Sequence, residues 1–185
     1  MEVLLRPWRE EDAASLCKYA DDPQVAANLT DIFPSPYHLS DAEEFIRRNM
    51  ADEEGNTRFC RAISVDGEAA GVIDVEKGTG IRQLCGTLGY WLGRPFWGRG
   101  IMTGVLASFC KEAFDRLDII RIQAEAYARN GASRRVLEKS GFTREGFRRQ
   151  SCIRNGVILD DCIYGLLKED LEERTPAELL NDPRR

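Results

Sequence analysis

The sequence predicts an α/β (α+β) fold, a single domain with a mixed, mostly antiparallel central sheet flanked by helices. Three observations predict it. Apolar runs of strand length alternate along the chain with segments of helical periodicity. The runs Arg58–Val65 and Ala69–Glu76 are separated by Asp66-Gly67, a two-residue hairpin signal. A strand from Leu84 to Gly93 passes through a glycine-rich turn into a long amphipathic helix. With 185 residues the chain has the length for one domain with a substantial core.

The elements follow in order. Val3–Arg6 reads as a short strand stopped by Pro7. Glu10–Ala20 reads as a helix with acidic residues in its first turn, and Asp22–Leu29 as a second short one. Phe33-Pro34-Ser35-Pro36-Tyr37 is a loop of structure breakers. Ser40 with Glu43 has the spacing of a capping box, opening a helix to about Met50. The hairpin comes next, then a turn at Gly78-Thr79-Gly80 and the strand Leu84–Gly93. A helix from Gly98 to Arg116 places Ile101, Val105, Phe109 and Ala113 at helical spacing, with Leu106 and Cys110 beside them. Ile119–Tyr127 is a strand, and Ala132–Lys139 a short helix closed by Gly141. Phe142–Cys152 and Val157–Leu166 form a last strand pair turned at Arg154-Asn155-Gly156. Glu169–Leu180 reads as a terminal helix. The domain is expected to span residues 1–171, with a tail at 172–185.

Composition narrows the function. The formal net charge is -5, which carries no general signature of nucleic-acid binding. No apolar segment has the length of a bilayer span, and the N-terminus lacks the apolar core of a signal peptide, so a cytoplasmic protein is expected. Six cysteines are scattered without a Cys-x-x-Cys pair and there is 1 His, so neither a zinc site nor any other metal is expected. The cysteines read as small buried hydrophobes with reduced thiols.

The chemistry concentrates in two segments. In the first, Gly98 and Gly100 flank Arg99 where the long helix begins. A helix N-terminus offers unpartnered N–H groups and partial positive charge, and glycines allow a phosphate to approach the backbone. The loop lacks the Gly-Lys-Ser or Gly-Lys-Thr of a nucleotide-hydrolysing P-loop. Thr103 breaks the dinucleotide pattern. The second segment, Asn130-Gly131-Ala132-Ser133-Arg134-Arg135-Val136-Leu137-Glu138-Lys139-Ser140-Gly141-Phe142, follows a strand. Asn130 is placed as a helix N-cap with Ser133 three residues on.

Together, Gly-Tyr-Trp-Leu at 89–92, Trp-Gly-Arg-Gly at 97–100 and the Asn130–Phe142 segment resemble the Gcn5-related N-acetyltransferase (GNAT) superfamily. They are most similar to its branch of ribosomal-protein N-terminal alanine acetyltransferases. The resemblance runs from about Leu4 to Leu167. It implies that Leu84–Gly93 and Ile119–Tyr127 are parallel neighbours that splay apart to admit acetyl-CoA. Trp91, Leu92 and Gly93 would then lie along the pantetheine arm. Trp97, Gly98, Arg99, Gly100, Ile101, Met102 and Thr103 would surround the pyrophosphate. Asn130 and Ser133 would touch the arm, and Arg134, among several arginines, the outer phosphates. The chain departs from the superfamily at three of its expected positions. Trp97 stands where Gln or Arg is usual, Met102 where Gly or Ala is usual, and Leu137 where many members have a Tyr acid. Thr87 takes the place of a Glu frequent in the branch.

The implied reaction is direct transfer of the acetyl group to an amine, without a covalent enzyme intermediate. Ser133 is the nearest substitute for the acid, against a purely capping role. Glu125 and Asp160 are the candidate bases, against structural roles for both. An α-amino group has a pKa near 8 and loses its proton at pH 7 for about 1.4 kcal/mol, whereas a lysine side chain near 10.4 needs about 4.6 kcal/mol. A site without an obvious strong base therefore suits a protein N-terminus as acceptor, with a small-molecule amine as the alternative. Phe33, Tyr37, His38 and Tyr90 are candidate pocket residues, against a core role. Arg144, Arg148, Arg149 and Arg154 read as a solvated strand face or a lure for acidic acceptors. A non-catalytic acyl-CoA sensor, or an unrelated nucleotide-binding α/β protein, is the reading from another class. No direct nucleic-acid or membrane partner is expected, and homodimerisation stays open.

Overall fold

The computed structural model describes residues 1–52 and 55–172. Its strands are β1 (Val3–Arg6), β2 (Arg58–Val65), β3 (Glu68–Lys77), β4 (Cys85–Leu92), β5 (Arg121–Tyr127), β6 (Thr143–Arg154) and β7 (Val157–Leu167). Its helices are α1 (Ala13–Ala20), α2 (Pro23–Ala26), α3 (Leu39–Ala51), α4 (Ile101–Leu117), α5 (Gly131–Lys139) and α6 (Lys168–Glu172). The sheet order is β1-β2-β3-β4-β5-β7-β6. The β4–β5 pair is parallel, registered from Cys85↔Arg121 to Thr87↔Gln123. The β1–β2, β2–β3, β5–β7 and β6–β7 pairs are antiparallel. The fold class is thus the expected one. Of the expected terminal helix Glu169–Leu180, only the start is seen, as α6; the rest, like the tail from residue 173, lies outside the described residues.

The chain divides into two compact units. The first comprises Met1–Glu76 and Gly89–Ile101. Its core gathers Trp8 and Leu16 with Tyr37, Ala42 and Ile46 against Cys60, Ala62 and Val72 of the sheet. The Trp8 indole N–H donates to Cys60 Sγ at 3.3 Å, and Trp8 meets Phe45 edge-on at 5.4 Å. Tyr37 is 6% exposed and stacks near Phe33, so the core reading of these two aromatics holds. Helix α1 is preceded by a 3-10 turn over Glu10–Asp12, which replaces the first turn of the expected α-helix. The reason is Asp12. Its carboxylate accepts both nitrogens of the Arg6 fork, at 2.6 Å each, and the Arg9 N–H at 3.0 Å. Helix α3 opens two residues before the expected Ser40: His38 is its N-cap and donates its N–H to Asp41 at 2.8 Å.

The second unit comprises Lys77–Leu88 and the chain from Met102 onward. Helix α4 buries Leu106, Phe109, Cys110, Ala113, Phe114 and Leu117. Val105, expected on that face, is half-buried, because the buried stripe is centred a residue further round the helix. Helix α5 ends as expected at Gly141. The Phe142 N–H donates to Leu137 O at 3.1 Å and the Gly141 N–H to Glu138 O at 3.2 Å, the two bonds of a Schellman motif. All six cysteines are free, and Cys60, Cys110 and Cys162 are fully buried, while Cys17, Cys85 and Cys152 are partly exposed.

Asp12 is 4% exposed and its Arg6 partner is nearly as recessed. Asp12→Ala leaves that partly buried guanidinium without its counter-charge and its two charged hydrogen bonds, a loss of about 1.5–3 kcal/mol. Urea unfolding of the variant is expected to show that drop with an unchanged m-value.

Candidate functional site

Strand β4 ends at Leu92, a 3-10 turn covers Arg94–Phe96, and α4 begins only at Ile101. The expected start at Gly98 is corrected by three residues. Gly98 has φ 72° and Gly100 φ 75°, left-handed values that a right-handed helix cannot contain. The loop therefore stays open up to the helix. With α4 starting at Ile101, the N–H groups of Gly100, Ile101, Met102 and Thr103 are the four that helix geometry leaves without an intrahelical acceptor. A Cβ placed on Gly98, Gly100 or Gly104 would meet nothing within 4 Å. The residues present thus fit a phosphate group, which needs bare backbone and positive helix-end charge. Gly104 was missed in the sequence. Its signal is a glycine in the first turn, where it weakens the helix by about 1 kcal/mol relative to Ala without any packing contact to account for it.

Contacts within the first unit hold this loop. The Trp97 indole N–H donates to Leu92 O at 2.6 Å, tying the loop to the strand end, which explains a Trp at that position. The Gly93 N–H donates to Ala70 O at 2.8 Å, and a Cβ at Gly93 would press on the Tyr19 ring at 3.0 Å. A chain running beside β4 therefore cannot take the Gly93 N–H. Arg94 pairs with Asp22 at 2.7 Å, while Arg99 is exposed. Trp91 packs edge-on against Phe33 at 5.8 Å. The departure at Met102 is accounted for by packing: its side chain is buried, and only its backbone belongs to the helix end.

In the second unit, Asn130 is the N-cap of α5, accepting the Ser133 N–H on Oδ1 at 3.1 Å. Ser133 is half-buried in the first turn. The Arg134 guanidinium is held by acceptors of its own unit: Nη1 donates to Ala128 O at 3.1 Å and Nε to the Tyr164 hydroxyl at 3.3 Å. That hydroxyl donates to Glu138 at 2.9 Å. Leu137 is buried, filling the core with an apolar chain where a Tyr acid would stand. Tyr164 is fully buried and does not replace it.

Both expected bases are engaged in structure. Glu125 on β5 pairs with Arg148 at 2.7 Å, and Arg148 also clamps Asp161. Arg148 holds the Asp161 carboxyl below the usual carboxylate range, and the Ser151 hydroxyl donates to the same group at 2.6 Å. Asp160 accepts the Gln150 N–H at 2.7 Å, where Gln150 has φ 51° at a break in the β6–β7 register. Of the expected solvated basic face, Arg144, Arg148 and Arg149 are exposed, with Arg148 paired to two carboxylates, while Arg154 is buried at 7% exposure. Thr87 lies opposite Gln123, whose amide donates to its hydroxyl at 3.2 Å. Among the described residues no group of three or more His, Cys, Asp or Glu has the arrangement of a metal site, and no helix is long and apolar enough to cross a membrane.

One recessed carboxylate was not singled out in the sequence. Asp74 stands in β3 inside the apolar run Ala69–Val75, and that interruption is the signal that would have found it. Its side chain is 16% exposed. Oδ2 accepts Nε and Nη2 of Arg58 at 3.2 and 3.0 Å, and Oδ1 lies 3.0 Å from where a Cβ on Gly89 would stand. Burial pushes the Asp74 carboxyl up to about 6, with Arg58 acting in the opposite direction.

Comparison with known proteins agrees with this geometry. The family model described as "Acetyltransferase (GNAT) domain" matches residues 2–143. The putative ribosomal N-acetyltransferase YdaF of Bacillus subtilis is 32% identical over 126 residues, 68% of this chain and 67% of that one. The structure of Mycobacterium smegmatis RimJ in complex with CoA-disulfide superposes with a TM-score of 0.82 at 25% identity, covering 96% of this chain and 87% of that one. The microcin C7 self-immunity acetyltransferase MccE, in complex with acetyl-CoA and AMP, gives 0.76 at 25% identity, with coverages of 90% and 92%.

Because the folded pKa of Asp74 exceeds its unfolded value near 3.9, this group favours the folded state fully below that value. The contribution is lost as pH rises through about 6. Denaturation at pH 4.5 and pH 7.5 is expected to show a larger decline in stability across that interval for the wild type than for Asp74→Asn.

Proposed function

The chain belongs to the GNAT acetyltransferase family, and we propose that it is an N-acetyltransferase using acetyl-CoA as donor and the α-amino group of a protein N-terminus as preferred acceptor. The observation that carries the proposal is the α4 N-terminus, opened by two left-handed glycines and bare of side chains at Gly98, Gly100 and Gly104. In this reading the N–H groups from Gly100 to Thr103 bind the pyrophosphate. The strand end at Trp91 and Leu92 lines the arm. Arg99, exposed beside the loop, supplies charge to the phosphates. Arg134 spends Nη1 and Nε on Ala128 O and the Tyr164 hydroxyl. Acetyl-CoA supplies an activated acetyl thioester; the protein's part is to orient it, exclude water and manage the proton of the amine.

The MccE complex, with acetyl-CoA bound, and YdaF, named as a putative ribosomal N-acetyltransferase, support the donor and the acceptor class respectively. The acceptor preference rests on the ease of deprotonating an α-amine near neutral pH. A thiolate of pKa about 8.5 leaves without a strong acid, so Leu137 in place of Tyr is compatible with turnover.

The test is calorimetry with acetyl-CoA, followed by release of free CoA thiol over peptides with free N-terminal Ala, Ser or Met and over small amines. Heat of binding and faster turnover on peptide α-amines than on lysine side chains are expected. Absence of binding heat removes the donor, and preference for small amines removes the acceptor. Gly100→Ala, forcing a Cβ onto a left-handed residue, is expected to raise the KM for acetyl-CoA at least tenfold.

A further inference from the structure

We propose that Asp74 is the general base of the acetyl transfer, taking the proton of the attacking amine on Oδ1 above Gly89. The inference deepens the function proposed above and rests on it. The chain's geometry supplies the argument within its first unit. With the phosphates at the loop after β4, an arm lying along the strand end points its reactive terminus back toward the middle of β4. Gly89 stands there, two residues before Trp91 on the same face, a spacing of about 7 Å. The Asp74 carboxylate occupies the space that any side chain at 89 would need. A strand glycine with no left-handed φ, where another group approaches closely, has its reason in that approach.

Asp74 also has the environment of a base. It is opposite Cys60 in the β2–β3 register, on the face that carries Trp8. The groups acting on it are Arg58 and Cys60 on β2 and Glu76 on β3, with the Phe45 ring of α3 over the Arg58 guanidinium at 6.0 Å. Burial pushes the Cys60 thiol up to about 12, so it stays neutral. Arg58 grips Oδ2 and so aims Oδ1. Burial brings the carboxyl up to about 6, near neutrality but still mostly ionised at pH 7, as a base requires. The other two candidates, Glu125 and Asp160, are held by Arg148 and by the Gln150 N–H. In the step, the amine lone pair forms the N–C bond and the C–S bond breaks with its electron pair on sulfur. The nitrogen proton passes to Asp74 and then to solvent, and the thiolate takes a proton from water.

The experiment uses the full chain with acetyl-CoA and whichever peptide or amine of the panel above turns over fastest. Asp74→Asn is expected to lower kcat about 100-fold at pH 7, with acetyl-CoA affinity by calorimetry within twofold of wild type. Its acidic break near pH 6 should vanish, and the deficit should shrink at pH 9, where the α-amine is already neutral. Arg58→Gln, which keeps the carboxylate but removes its counter-charge, should move the break to higher pH. That readout stands even if Asp74→Asn fails to fold. Turnover of Asp74→Asn within threefold of wild type, or an unmoved break in Arg58→Gln, overturns this assignment and leaves the acetyltransferase reading intact. Wild-type binding of acetyl-CoA with no turnover on any amine overturns both.

Discussion

The left-handed backbone at Gly98 and Gly100 is the constraint on which the candidate site depends. A right-handed helix cannot begin until the chain has left that conformation, so α4 starts at Ile101, directly after a turn in which Gly98 and Gly100 carry no side chain. The surrounding contacts all serve to hold that stretch. Trp97 donates to the end of β4, Gly93 hangs from Ala70 and lies on the Tyr19 ring, and Arg94 is anchored by Asp22. Met102 turns its side chain inward and contributes only main chain.

Charge is handled by pairing in both units, and the pairs differ in what they leave over. Arg6 with Asp12 and Arg148 with Asp161 are structural clamps that engage both carboxylate oxygens, while Arg148 also pairs with Oε2 of the half-exposed Glu125. Arg58 with Asp74 is lopsided: the guanidinium takes one oxygen, and the other is directed over a glycine. Recessed but reachable by water, it is, among the described residues, the carboxylate whose affinity for a proton burial raises toward neutrality. The distinction between a clamp and a reactive group lies in this geometry and not in residue type.

Most of the element order was legible in the sequence because hydrophobic period and turn chemistry are local. The Asp66-Gly67 hairpin, the Arg154-Asn155-Gly156 turn, the Asn130 cap and the Gly141 stop fall where the residues put them. The element boundaries differ from expectation where one particular contact or backbone angle decides. The first turn of α1 is 3-10 because Asp12 is drawn to Arg6, α3 begins at Leu39 because Asp41 reaches the N–H of the N-cap His38, and α4 starts late because two glycines take positive φ. Glu125 and Asp160 looked like bases because nothing in a linear sequence announces that Arg148 and the Gln150 N–H will occupy them.

The sequence by itself determined the alternation of strands and helices, the family likeness and the position of the glycine-rich turn before α4. Each depends on residues within a few positions of one another, whose φ preferences and apolar spacing act along the chain. Only the tertiary structure decided which carboxylates are spent and which is available. Proton affinity depends on burial and on counter-charges, and strand pairing brings these together from residues such as Arg58, Asp74 and Gly89 that lie far apart in the chain.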